Sequence, residues 1–246
     1  MPINVVIPMA GLGSRFPNHL YPQPKPLIPI KGVPMIAKAI QSLDFIKHDV
    51  DWHFIVAENT FTDDVIEVIT NTLPKQPNIV KINYLTEGPA CTALLLKNKL
   101  YNDDELIIAN CDQIMEWNSD AFFVNARLYD GCMVTYHTDT EKNSFARLDE
   151  SGFVSEVREK EVISNVSLNG IHYWKMGKYF VSSAEEMIAK GDRAPNGEFY
   201  IGPTYNHMIS HGLKVGIYHI PNCQHHAVGV PIDLERYLTY VNSKHI

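Results

Sequence analysis

The chain has 246 residues, 45% of them hydrophobic and 20% charged, with a net charge of −7. That is enough length and apolar surface for a packed core, which excludes a mainly disordered protein. The acidic balance excludes a sequence-independent nucleic-acid binder, which needs a basic footprint, but not a small phosphorylated ligand held by one or two local cations.

No apolar run approaches the ~20 residues of a membrane span. Met1-Pro2-Ile3-Asn4 enters a strand pattern at once, without the basic start of a signal peptide. Cys91, Cys111, Cys132 and Cys223 lie far apart, with neither zinc nor disulfide-framework spacing, so reduced thiols in a cytoplasmic protein are expected.

In chain order, residues 3–8 are a short apolar run that predicts a buried parallel strand. A loop rich in Gly and Pro follows over residues 9–26. Ile36, Ala39, Ile40 and Leu43 have helical spacing and predict a helix over 35–46. Residues 53–57 are a second strand. A helix over 63–73 has Thr62 as its candidate cap and stops at Pro74. A third strand over 79–85, a short helix over 90–96 and a fourth strand over 105–109 complete a βαβ alternation. Beyond residue 130 the texture changes. Strands are predicted over 132–137, 144–148, 153–157 and 166–173, with a hairpin turn at Asp149-Glu150-Ser151-Gly152. Helices return over 178–189, 203–210 and 232–241. There is no linker, repeat or block of like charge, so one α/β domain over 1–246 is expected, its second half adding antiparallel strands.

Ala10-Gly11-Leu12-Gly13-Ser14-Arg15-Phe16 follows the first predicted strand directly. The glycines alone fit either a tight turn or an anion cradle. It is not a dinucleotide fingerprint, which wants a third glycine where Phe16 stands, nor a P-loop, which ends in G-K-[ST]. Arg15 and Lys25 favour the cradle. Lys25 sits in Pro22-Gln23-Pro24-Lys25-Pro26, where the prolines stiffen its approach. An Arg and a Lys converging on a glycine loop make a clamp for a polyphosphate.

Gly11-Leu12-Gly13-Ser14-Arg15-Phe16 together with Pro24-Lys25-Pro26-Leu27 resembles the signature of the sugar-phosphate nucleotidyltransferases. That family transfers a nucleotidyl group from an NTP to a sugar 1-phosphate and releases pyrophosphate. The resemblance implies a three-layer α/β/α sandwich, GT-A-like, with a mixed, mainly parallel sheet. Residues up to about 130 would be the nucleotide-binding half and 131–246 the acceptor-binding half.

Further stations recur in order. Glu87-Gly88-Pro89-Ala90 lies at a strand-to-helix junction, where the family binds the nucleobase; an ordinary helix start has the same appearance. Asn110-Cys111-Asp112 ends the fourth strand, and the family's aspartate there holds Mg²⁺, which suits Asp112; read alone, Asp112 fits a cap or turn. Glu159-Lys160 resembles an E-K-P acceptor station with Glu161 in place of the proline; a solvated strand end reads the same way. Asn169-Gly170 resembles the glycine-centred strand beside the acceptor, and Glu198-Phe199-Tyr200 the acceptor-side helix start.

The resemblance thus implies Arg15 and Lys25 as catalytic residues. Ala10, Gly11, Gly13, Ser14, Glu87, Gly88 and Asn110 would bind nucleotide, Glu159, Lys160, Asn169, Gly170 and Tyr200 the acceptor, and Asp112 the metal. Many members carry D-x-G-T-P near the end; this chain has Ala227-Val228-Gly229-Val230-Pro231, which puts Ala227 where a second carboxylate is expected. His225 and His226 nearby read as surface or structural.

The implied partners are an NTP, with CTP or UTP favoured, and a small phosphorylated acceptor, in a cytoplasmic enzyme without nucleic-acid or membrane partners. A homo-oligomer stays open. A sugar 1-phosphate acceptor and a surface-polysaccharide precursor as product come first. A cytidylyltransferase for phosphocholine, phosphoethanolamine or a phosphorylated amino acid is the alternative. A GT-A glycosyltransferase would want D-x-D where Asn110-Cys111-Asp112 stands, and a non-catalytic nucleotide-binding module has no need of both cations.

Overall fold

The computed structural model describes residues 3–11 and 13–244. In chain order the elements are β1 Ile3–Met9, β2 Pro29–Ile30, β3 Val33–Pro34, α1 Met35–Leu43, β4 Val50–Ala57, α2 Thr62–Thr72, β5 Asn78–Ile82, α3 Pro89–Ala93 and α4 Lys97–Leu100. Then come β6 Glu105–Ala109, β7 Gln113–Met115, α5 Ser119–Ala126, β8 Gly131–His137, β9 Ser144–Leu148, β10 Val154–Glu159 and β11 Val166–Trp174. The chain continues through α6 Gly177–Lys190, α7 Thr204–Ser210, β12 Val215–His219, β13 His225–Ala227 and α8 Pro231–Ser243.

The main sheet runs β10-β9-β11-β6-β1-β4-β5, with β8 joining β11 to β12. The β5, β4, β1 and β6 strands are parallel, and β11 runs antiparallel against both β6 and β8. Period-two alternation divides β1 between two cores. Ile3, Val5, Ile7 and Met9 face a core closed by α1, α2 and α5. Val6 faces a second core closed by α3, α4, α6 and α7. Helices cover both faces, which makes the expected α/β/α sandwich and explains why β1 reads as a continuous apolar run.

Several expected boundaries move. The first helix stops at Leu43 because Asp44 turns left-handed, with φ 59°, and starts a short 3₁₀ turn. Thr62 is the first helical residue rather than the cap; its hydroxyl accepts from Asn59 N–H and bonds the Ala57 carbonyl. The third strand ends at Ile82, and the helix expected over 90–96 breaks into 3₁₀ geometry at Leu94. Helix α5 escapes sequence reading because its apolar residues lie all round it: Phe122, Phe123 and Ala126 are buried, while Val124 is 72% exposed. Strand β12 is short and interrupted by Gly216, whose bare Cα lies against the Tyr129 ring. The β2–β3 hairpin and the β7–β13 pair are too short to signal themselves.

Candidate active site

The loop after β1 is held by its own small core. Phe16, Ile28, Ile30, Met35, Ile114, Val228, Leu234 and Tyr237 pack together, with Phe16 edge-on to Tyr21 at 4.9 Å. The loop, β7 and α8 are therefore one packed unit. Burying Phe16 leaves its neighbours Ser14 and Arg15 exposed, and Arg15 has no ion pair among the described residues. Lys25 opens a 3₁₀ turn between Pro24 and Pro26, and its Cβ lies 3.2 Å from where a Cβ on Gly13 would stand.

From there Lys25 Nζ reaches Asp112, 87 residues away in sequence, and forms an ion pair with its carboxylate. Asp112 sits between β6 and β7, and its carbonyl accepts from Val228 N–H at 2.9 Å. That bond brings Gly229 over the carboxylate. A Cβ on Gly229 would stand 2.5 Å from Asp112 Oδ2 and 3.5 Å from Lys25 Nζ, so no larger residue fits without displacing the pair. Burial raises the neighbouring Cys111 thiol to about 11, which makes it a packing residue. Burial, with His226 adding, lowers His225 to about 4, so it is neutral at pH 7.

At the end of β10, Glu159 and the following Lys160 have opposite fates. Glu159 is buried and accepts from Ser144 Oγ; desolvation raises its carboxyl above the usual range. It is not a solvated strand end. Lys160 then takes φ 56°, which turns its side chain the other way, onto Tyr200. Lys160 Nζ donates to Tyr200 OH at 2.7 Å and lies 4.8 Å over the ring. Asn196 Nδ2 donates to the same hydroxyl at 3.0 Å and to Glu198 Oε2 at 2.9 Å. Glu198 is held below its usual range by Tyr200 first, with Asn196 and the charges of Lys160 and Arg15 adding to it.

The strand-to-helix junction at Glu87-Gly88 is joined to the same loop. Phe199 N–H donates to the Glu87 carbonyl at 2.8 Å, and Ala90 N–H donates to the Phe199 carbonyl at 3.1 Å. Gly88 adopts φ 132°, and a Cβ there would strike the Phe199 backbone. The Glu87 carboxylate pairs with Arg193, whose guanidinium lies 4.1 Å over the Phe199 ring. Asn110 N–H donates to the Gly170 carbonyl at 3.2 Å, at a register shift in β11. Asn169 is buried and already engaged, its Oδ1 accepting from Ile171 N–H and its Nδ2 donating to Met115 Sδ.

The structure therefore gathers the expected residues into three groups: Gly13, Lys25 and Asp112; Glu87 and Gly88; and Lys160 and Tyr200. Ala10 is buried at the end of β1, and Gly11 lies exposed with nothing near its missing Cβ. Gly229, Arg193, Phe199, Asn196 and Glu198 join these groups without having been singled out as site residues.

No family model matches the chain. The bifunctional protein GlmU of Methanocaldococcus jannaschii is 25% identical over 217 residues, 87% of this chain; the chain spans about half that relative's length, 49%. The nucleoside-diphosphate-sugar pyrophosphorylase structure from Vibrio cholerae RC9 superposes with a TM-score of 0.86 at 26% identity, covering 96% of this chain and 99% of that one. The chain is similar in sequence and fold to sugar-phosphate nucleotidyltransferases. The inositol-1-phosphate CTP transferase of T. maritima shares the family fold, with a TM-score of 0.73 at 15% identity over 98% of this chain and 95% of that one.

That similarity raises the question of Mg²⁺. This ion is typically held by one or two carboxylates, with waters and substrate phosphates completing its shell. Asp112 offers one carboxylate, and no group of three or more His, Cys, Asp or Glu side chains disposed round a cation occurs among the described residues. That donor set fits an ion shared with a nucleotide's phosphates.

Proposed function

We propose that the chain transfers a nucleotidyl group from an NTP to a small phosphorylated acceptor, a sugar 1-phosphate first among them, and releases pyrophosphate. The observation that carries this reading is the Lys25–Asp112 pair beside the glycine loop, under Gly229. It puts a cation and a hard-cation ligand together where a strand of a parallel sheet ends, the usual ligand position in such sheets.

In this reading an acceptor phosphate oxygen attacks the α-phosphorus in line. The new P–O bond forms as the bond to the β-phosphate breaks, and pyrophosphate leaves. Such chemistry asks the protein for alignment and charge neutralisation. The amides around Gly11 and Gly13, with Ala10 and Ser14, would cradle the phosphates. Arg15 would neutralise the leaving pyrophosphate, and Lys25 the α-phosphate and the attacking phosphate. Glu87 and Gly88, with Asn110, would hold the nucleoside. Lys160, Tyr200 and Gly170 would meet the acceptor, with Glu159 and Asn169 shaping that wall from beneath. Mg²⁺, held by Asp112, would supply charge neutralisation on the phosphate oxygens.

CTP and UTP are the nucleotides we favour, and the product would be an activated donor for a later transfer step such as surface-polysaccharide assembly. The test is pyrophosphate release with Mg²⁺, crossing the four common NTPs with sugar 1-phosphates, phosphocholine, phosphoethanolamine and phosphorylated amino acids. Release with one NTP and one sugar phosphate supports the reading. Release only with a non-sugar phosphate replaces the acceptor. Nucleotide binding by calorimetry with no release from any pair would favour the second reading, a binding module, which Ala227 in place of a carboxylate allows.

A further inference from the structure

Lys25 and Asp112 cannot be described as two independent site residues, because each occupies the other. The side chains are 13% and 21% exposed, so the pair is largely withdrawn from water. The Lys25 backbone has little freedom: it lies between Pro24 and Pro26, begins a 3₁₀ turn, and its Cβ is close against Gly13. Its ammonium therefore works within one side chain's reach of the glycine loop, with Asp112 at one end of that reach. Gly229 lies close against both members of the pair, and the nearby His225 is neutral.

We infer that Lys25 is a resident counter-ion, which keeps Asp112 closed to a divalent cation until a nucleotide's phosphates draw the ammonium away. The inference rests on the reading of Asp112 as the divalent-ion ligand and goes beyond it by fixing an order of events. An ammonium on a carboxylate repels any second cation at close range. Phosphates arriving at the glycine loop meet Arg15, which has no ion pair among the described residues, and offer Lys25 a better-charged partner. Asp112 is then released towards the ion that those phosphates carry. The ion enters with the nucleotide and not before it.

The test needs no turnover. Mn²⁺ binding is followed by electron paramagnetic resonance of the free ion, without nucleotide, on the wild-type chain and on Lys25→Met, Lys25→Arg and Lys25→Met/Asp112→Asn. A neighbouring opposite charge moves a carboxylate's proton affinity by about 10- to 1000-fold, and the same electrostatics act on a metal ion. Lys25→Met should therefore bind Mn²⁺ at least about tenfold more tightly than wild type. Lys25→Arg should stay as weak as wild type, and the double variant should lose the gain. Lys25→Gln serves the same purpose if the methionine variant unfolds. Three results would each overturn the inference: Lys25→Met no tighter than wild type, Lys25→Arg as tight as Lys25→Met, or a double variant that keeps the gain. Failure of pyrophosphate release with the Mn²⁺ pattern intact would instead count against the proposed reaction alone.

Discussion

On one wall of the candidate site Lys25 meets Asp112 beneath a bare backbone, whereas on the wall proposed for the acceptor Lys160 meets Tyr200 through a chain of side-chain hydrogen bonds. The first wall is specified by what is missing: no Cβ at Gly13 or Gly229, and no second carboxylate at Ala227. The second is specified by what is present, with Asn196, Glu198 and Tyr200 orienting one ammonium. A wall made by close backbone approach tolerates almost no added atom. A wall made by side chains can lose one hydrogen bond and still stand. The two walls should therefore answer mutation differently.

The largest effect is expected on the first wall. Lys25→Ala should lower the rate of pyrophosphate release by about 10²-fold or more, the usual order for a lost electrostatic donor. Near-normal single-turnover kinetics in that variant would remove Lys25 from the chemistry and make the contrast between the walls a matter of packing only.

Next comes the sheet beneath both walls, where a buried histidine is held neutral. His53 Nε2 donates to Asn4 Oδ1 at 2.9 Å, and its Nδ1 accepts from Asn78 Nδ2 at 3.0 Å. Burial, with the charge of Lys99 adding, lowers its pKa from 6.5 to about 4. Because the folded value lies below the unfolded one, this contribution is complete above about pH 6.5 and declines as pH falls towards 4. The loss amounts to about 3 kcal/mol. Urea unfolding between pH 7 and 4 should show a shallower decline for His53→Gln than for wild type. Equal slopes would show that the acid sensitivity resides elsewhere, for instance at the buried His172, which desolvation lowers to about 3.

Gly88→Ala tests backbone approach where the junction meets the acceptor loop. The left-handed φ and the collision with the Phe199 backbone should cost at least about 2 kcal/mol, lowering Tm by roughly 4–8 °C. A calorimetric scan that leaves Tm unchanged would mean that the loop at Phe199 yields freely.

Tyr200→Phe should have the smallest effect. It removes a hydroxyl that accepts from Lys160 and Asn196 but keeps the ring under the ammonium. KM for the acceptor should rise about fivefold with KM for the NTP unchanged, as a net loss of about 1 kcal/mol implies once both donors are re-solvated. An equal rise in both constants would show that the two sites are coupled through Phe199, and the walls would not be separable.

The βαβ alternation, the switch to antiparallel strands after residue 130 and the glycine- and proline-bounded loop that carries Arg15 and Lys25 were legible because they rest on local pattern. Runs such as Val5-Val6-Ile7 are apolar on both faces, and Arg15 and Lys25 lie close in sequence to their glycines. Glu159 was only half legible. Neighbouring charged residues look alike in a sequence, and only the positive φ of Lys160 separates a buried carboxylate from an ammonium laid on Tyr200. Arg193 and Phe199 were silent because their partners, Glu87 and the Gly88 backbone, lie about a hundred residues away, and nothing local in 191–200 marks a cation for that carboxylate.

The residue types that can meet a phosphate, and the order of strands and helices that carries them, follow from periodicity, chain stiffness and charge, all of which are properties of neighbours along the chain. Which of those residues touch is a property of the fold. Asp112 finds Lys25, Gly229 closes over both, and Phe199 zips onto Glu87 only because β1 lies beside β6, β11 lies on the far side of β6, and α8 packs against the first loop. Contacts across 87 residues depend on sheet order and core packing, and no window of sequence contains them.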